Sequence, residues 1–477
     1  MVVVAVGIFM VAGALLGGAL GAVLLPVGII GTFCAVGTTS GRLLMLCFGT
    51  MVMFGPTLFG ETIRSLFLLL LVMGTALALA SIERKVRGRP DFISISKFYP
   101  PLLVFAAVPV VSMYIMAYYS TDVISWVRDA TTFILIPIGI VYGIDAGLSL
   151  KIRTLQGVFA ILGILAAFAY LTSWLVRRQQ LPPSAELPLL SSSMISIPVI
   201  CMSLTLYFTS RARLRYVWGL IAVIQMLMLV SAGGRSSVLY CTAIVLFISA
   251  CALFTRWGIV KLLILLGLAA GMAVGFFVIY APFVRSSFLS NRLDWFSDVS
   301  LDAVEGDGSG EARLRAYRIM WESFLEKPLL GHGFGYSYPP VSAAAIDVFT
   351  LDTPLVYLAK FGVIGTLAVF FALFSLIRAC LRLTHQRAER FQVFMMWGAA
   401  IAAWMATLPS GAPTEQKGFG IGLVVLIAVS VAWCRSPGPR LRAGKLQKKL
   451  DHTRRAFRNT VPFCVGGDPQ KIIAGRP

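Results

Sequence analysis

Apolar residues in this chain come in long unbroken runs, without the alternation that marks a strand. The runs are about 17–25 residues long, enough for each to cross roughly 30 Å of hydrocarbon. Lipid offers no partner to backbone amides, so such runs must form helices or a closed barrel, and continuous runs favour helices. The pattern predicts spans near 2–18, 21–38, 42–58, 64–81, 101–118, 130–147, 157–176, 191–209, 216–232, 237–255, 260–282, 352–377, 391–409 and 417–434. The first two can also be read as one tilted helix, which gives 13 or 14 of these spans, and the fold class is an all-α polytopic membrane protein of about 12–14 transmembrane helices. No basic residue precedes the first apolar run, so it reads as a span and not as a cleaved signal peptide.

One long polar stretch breaks the pattern. It divides the chain into a helical bundle (1–285), a large loop (286–350), further membrane helices (351–434) and a basic tail (435–477). Within the loop, residues 303–310 (Ala-Val-Glu-Gly-Asp-Gly-Ser-Gly) read as a flexible linker. Glu311–Glu326 follows as an amphipathic helix, with Leu314, Tyr317, Trp321, Phe324 and Leu325 as its apolar stripe. Gly331-His332-Gly333-Phe334-Gly335 is too rich in glycine to continue that helix and marks a tight turn. In the tail, an interfacial helix is expected near Leu441–Phe457.

Composition agrees: 58% of residues are hydrophobic and 13% charged. The formal charge of +20 suggests nucleic acid until its placement is considered. With the loop around Arg84, Lys85, Arg87, Arg89 and Lys97 set as cytoplasmic, alternation puts 27 of the 41 Lys and Arg in cytoplasmic loops and the tail. The large loop then lies outside, with six Lys/Arg against nine Asp/Glu counted from Arg285. Arg177 and Arg178 are the main exception. The charge therefore encodes topology, with a tail that suits anionic lipid, and no nucleic-acid partner is expected. Eight cysteines without a CxxC pair read as packing residues and not as a disulfide framework or metal site.

Candidate chemistry gathers at the outer edge. Arg235, in Ser231-Ala232-Gly233-Gly234-Arg235, lies where two spans meet. An arginine at that depth faces protein or water, or else snorkels to the surface. Its planar, permanently charged guanidinium suits phosphate, and the glycines allow close approach. Arg313, Arg315 and Arg318 stud the loop helix; Arg315 is accounted for by pairing with Glu311, while Arg313 and Arg318 remain candidates for a lipid pyrophosphate. His332 is a candidate general base or a structural loop histidine. Asp352, two residues before Pro354, is a candidate base for a sugar hydroxyl or simply a helix N-cap. The spacing of Asp298, Asp302, Glu305 and Asp307 matches no metal-ligand pattern, so no metal is expected.

These motifs, in this order across Ser231–Gly365, resemble the O-antigen ligase and O-antigen polymerase superfamily of bacterial membrane glycosyltransferases. The resemblance rests on Ala232–Ser237, on Glu311-Ala312-Arg313-Leu314 running into Pro328-Leu329-Leu330-Gly331-His332-Gly333, and on Leu355-Val356-Tyr357-Leu358 before Gly362-Val363-Ile364-Gly365. It implies a GT-C-like helical fold in the bacterial inner membrane. It also implies transfer of an oligosaccharide from undecaprenyl pyrophosphate to an acceptor hydroxyl at the periplasmic face, without a nucleotide sugar, metal or other cofactor. Arg235 and Arg313, seconded by Arg318, would hold the pyrophosphate. Ligases open the span after the loop with His-Asn, whereas this chain has Leu351-Asp352-Thr353-Pro354-Leu355. That departure favours polymerisation of a surface polysaccharide, exopolysaccharide or O-antigen, over ligation to a lipid acceptor. A chain-length regulator and a flippase are then the expected partners. The rival is a transporter without chemistry, which requires charges near the bilayer midplane.

Overall fold

The computed structural model describes residues 36–55, 60–87, 95–119, 122–177, 179, 181–210, 214–232, 235–253, 258–267, 270, 308–339, 351, 353–383 and 387–435. Of the expected spans, 2–18 and nearly all of 21–38 lie outside these residues, as do much of 260–282 and the tail with its interfacial helix. The described elements are helices: α1 (Thr39–Met53), α2 (Glu61–Val86), α3 (Tyr99–Tyr119), α4 (Val123–Ser149), α5 (Ile152–Arg177), α6 (Ser193–Thr209), α7 (Arg215–Ser231), α8 (Arg235–Ala252), α9 (Gly258–Gly267), α10 (Gly308–Glu326), α11 (Val356–Leu383), α12 (Arg387–Thr407) and α13 (Gly418–Arg435). Among the described residues, α2, α3, α4, α5, α11 and α13 are long and apolar enough to cross a membrane, and α1, α6, α7, α8 and α9 are shorter apolar helices. The protein is an all-α, multi-pass membrane protein.

Among the described residues, three helices form the interior. α6 and α13 are buried along almost their whole length, and α4 from Asp129 to Gly147. Helices apolar on every face belong inside a bundle, and small residues let their backbones close up. Gly139, Gly143 and Gly147 repeat every four residues on α4 and meet Gly420, Ile427 and Val431 of α13. A Cβ on Gly420 would stand 2.6 Å from the Leu135 carbonyl oxygen, so the two backbones touch. Around this interior, α2, α3 and α11 leave Leu66, Leu103, Leu367 and Phe371 exposed, as lipid-facing residues should be. At the end of the bundle where α4 finishes, Asp145 accepts from Arg42 Nη2 at 2.5 Å, Lys85 Nζ at 2.7 Å and Ser81 Oγ at 2.9 Å, joining α1, α2 and α4.

One boundary and one packing face differ from expectation. Gly308, Ser309 and Gly310, expected within the linker, already belong to α10, while 303–307 lie outside the described residues. The apolar stripe expected on that helix is not its packing face. Ala316, Met320 and Ser323 are buried, whereas Leu314, Trp321 and Leu325 are exposed.

Candidate functional site

The glycine turn after α10 meets a break in α11. At Gly362 the backbone turns to φ 60°, ψ −168°, and the helical ladder is interrupted. In an unbroken helix the amides of Val363 and Ile364 would donate to the carbonyls of Ala359 and Lys360. Here the loop supplies both sets of partners. Val363 N donates to Pro328 O at 2.8 Å and Ile364 N to Leu329 O at 3.3 Å; His332 N donates to Ala359 O and Gly333 N to Lys360 O, each at 2.9 Å. Two intrahelical bonds are thus exchanged for four that clamp the loop onto α11, so the amides and carbonyls those two bonds would have joined are all paired. Gly331, Gly333 and Gly335 take φ values of +69°, +77° and +82°, the left-handed conformation that lets the turn run this close.

Beneath the clamp lies a buried ionic cluster. Lys360 Nζ, fully buried, reaches Asp129 Oδ1 of α4 at 2.6 Å and Glu415 Oε2 of the α12–α13 connection at 2.7 Å. Asp129 Oδ2 accepts from the Gly335 amide at 2.9 Å, and Ser112 Oγ of α3 accepts from the Phe334 amide at 2.7 Å. The rings of Phe133, Phe334 and Phe361 pack mutually with centroids 4.9–5.3 Å apart. Thr414 donates to the Tyr357 hydroxyl at 2.8 Å. The Tyr338 hydroxyl is buried without a hydrogen-bond partner. Burial, with Asp129 and Glu415 nearby, raises its phenol above the ordinary range, so it stays a neutral donor. Every group named here comes from α3, from the first half of α4 or α11, from the α12–α13 connection or from the loop.

His332 stands over the end of α10. Its Nε2 lies 3.0 Å from the Ser323 carbonyl oxygen, which can only accept, so Nε2 carries the proton. Its ring stacks on Tyr336 at 4.1 Å, and Nδ1 is left buried and unpartnered. Burial, helped by Lys327, holds the imidazole below its ordinary range against the pull of Ser323 and Glu326, and so neutral.

Of the other residues singled out by sequence, Arg235 is the first residue of α8, which begins shortly after α7 ends at Ser231; its side chain lies outside the described residues, and so does Asp352. Arg313 is half-buried and Arg318 exposed, both on α10. Among the described residues just before α11, Thr353 Oγ1 accepts from the Leu355 amide at 3.2 Å. Sequence reasoning missed Asp129, Lys360 and Glu415. The signal was there: Lys360 is a charge inside an apolar run, where an ionisable residue implies a buried partner.

The model of a family described as O-antigen ligase matches residues 219–370, from within α7 through the large loop into α11. The match takes in Arg235, Arg313, Arg318, His332, Asp352 and Lys360, and it bears out the resemblance to the O-antigen ligase and polymerase superfamily. No curated protein matches the chain.

Proposed function

Taking the O-antigen ligase match over residues 219–370 as premise, we propose that this protein is an inner-membrane glycosyltransferase of polysaccharide assembly. It polymerises oligosaccharide repeat units carried on undecaprenyl pyrophosphate, at the periplasmic face and without a metal. The match is the observation that carries the reading, because it spans the segment in which the candidate anion-binding arginines and the clamped loop lie together in sequence.

In this reading Arg235 and Arg313, with Arg318 nearby, hold the donor pyrophosphate and neutralise the charge that develops as it leaves. Asp352 takes the proton of the acceptor hydroxyl, with His332 as the second choice; an imidazole kept neutral suits either that duty or a purely structural one. The clamp between Pro328–Gly333 and α11 gives the loop a fixed seat, as transfer between two lipid-anchored substrates demands.

The buried charges speak against a transporter. Asp129 and Lys360 lie within two turns of the starts of α4 and α11, and Asp145 lies one turn from the end of α4; charges at the bundle's ends are not the midplane charges a transport path requires. The second reading, a ligase that moves finished polymer to a lipid acceptor, is favoured by the description of the matched family.

Complementation of a strain lacking this gene separates them. Arg235→Ala and Arg313→Ala variants that reach the membrane in normal amounts are expected to leave single lipid-linked repeat units. Full-length polymer on its carrier lipid, untransferred, establishes the ligase instead. Full-length polymer, normally transferred, from both variants overturns the pyrophosphate site.

A further inference from the structure

α10 presents three faces. Ala316, Met320 and Ser323 are buried where the helix packs on α11. At 3.6 residues per turn, Leu314, Trp321 and Leu325 fall within about 40° of arc on a second face, roughly opposite the first. They are 62%, 46% and 58% exposed. Arg318, Glu322, Arg315 and Glu326 occupy the arc between, on the side that continues from Leu325. A water-soluble loop helix has two faces, one packed and one polar. Here a third face, apolar and uncovered, needs an occupant.

The occupant follows from what this face adjoins. Leu329 and Leu330, just beyond α10, are also exposed, and the Leu329 carbonyl accepts from the amide of Ile364. Ile364, Leu367 and Phe371 form the outward stripe of the apolar span α11. The uncovered face of α10 therefore continues, without a polar break at Leu329, into a surface that already faces hydrocarbon. Arg318 borders the apolar arc, where a long cationic side chain reaches lipid phosphate while its stem lies on hydrocarbon. Trp321 belongs to the residue type that gathers at the membrane–water boundary.

We propose that α10 is an interfacial helix seated in the bilayer surface at the end of the bundle that carries Asp129 and Lys360. Leu314, Trp321, Leu325, Leu329 and Leu330 enter the boundary between headgroups and acyl chains, to a depth of about 5–10 Å. The charged face looks to water, and the face of Ala316, Met320 and Ser323 grips α11. Arg313 lies on the arc between the gripping face and the lipid face, so the membrane itself sets its height against lipid headgroups. This seating holds whatever reaction the protein performs.

The test uses the full chain in nanodiscs of phosphatidylethanolamine and phosphatidylglycerol containing a radiolabelled phospholipid. Benzoylphenylalanine is placed singly in place of Leu325, Glu322 or Leu367, the last as the lipid-facing reference. All three side chains point away from the packed core, so folding is preserved. On irradiation, lipid adduct at 325 is expected to approach that at 367 and to exceed that at 322 several-fold. Adduct at 325 no greater than at 322 overturns the proposal. So does cross-linking from 325 onto another part of the chain or a second copy, since protein would then cover the face.

Discussion

Gly331 and Gly362 lie back to back, each in the left-handed region, and neither leaves room for a side chain. A Cβ on Gly331 would stand 2.6 Å from the Gly362 amide nitrogen, and a Cβ on Gly362 would stand 2.5 Å from the Leu330 amide nitrogen. The loop enters the α11 ladder only because both positions are bare. The four backbone bonds of the clamp depend on that approach.

Alanine at either position should therefore open the clamp. Left-handed backbone costs a non-glycine residue about 1–3 kcal/mol, before the contact with the facing backbone is counted. Gly331→Ala and Gly362→Ala are each expected to lower the thermal unfolding midpoint of the purified protein and to make α10 more susceptible to protease. A variant that keeps both values would show that the loop seats without the clamp.

Lys360 invites a sharper comparison. Removing one member of a buried ionic group leaves the others uncompensated, at about 3–5 kcal/mol, whereas replacing the whole group with neutral residues of similar size is often tolerated. Lys360→Met should leave Asp129 and Glu415 facing each other with nothing between them and be strongly destabilised. The triple variant Lys360→Met, Asp129→Asn, Glu415→Gln should recover much of that loss in the same unfolding assay. Should the triple variant be no more stable than the single one, charge pairing is not what holds α4, α11 and the α12–α13 connection together.

The helices were legible because lipid leaves a span few choices: continuous apolar runs located α2 to α8 and α11 to α13, with ends up to seven residues off, as at the start of α4 (130 expected, Val123 observed). The glycine turn was legible too, since three glycines in five positions need left-handed backbone. What it bound was not, because the partner, the Gly362 break, lies about 30 residues on and its local sequence reads as unbroken helix. Lys360, Asp129 and Glu415 come together across 286 residues of chain, and nothing in local pattern says which lone charges will meet. The packing face of α10 was misplaced for a related reason. Hydrophobic periodicity finds an apolar stripe but does not distinguish lipid from protein as its neighbour.

His332 carries a pH dependence whose sign can be worked out. Its imidazole is held below the ordinary value of 6.5 in the folded protein, so below that pH the unfolded chain binds a proton that the folded chain does not. Its contribution is complete above about 6.5 and is lost as pH falls from there toward the depressed folded value. Unfolding midpoints measured between pH 7.5 and 5 (an interval set by the ordinary imidazole range) are expected to fall more steeply for the native protein than for His332→Gln. Parallel curves would mean that His332 does not titrate on unfolding in this interval.

The α4–α13 contact makes the last prediction, and it depends on where a methyl group goes. On Gly139 a Cβ meets the Gly420 carbonyl, and on Gly147 it stands 2.6 Å from Val431 Cβ; on Gly157, exposed on α5, it meets nothing within 4 Å. The backbone effect of glycine to alanine is the same at all three positions and favours alanine by about 0.5–1 kcal/mol. Only the interior pair adds overpacking, at about 1–3 kcal/mol. Gly157→Ala should thus unfold at the same or a higher temperature than the native protein, and Gly139→Ala and Gly147→Ala at lower ones. If all three variants move together, the glycines of α4 serve helix propensity alone, and α13 does not pack backbone to backbone against them.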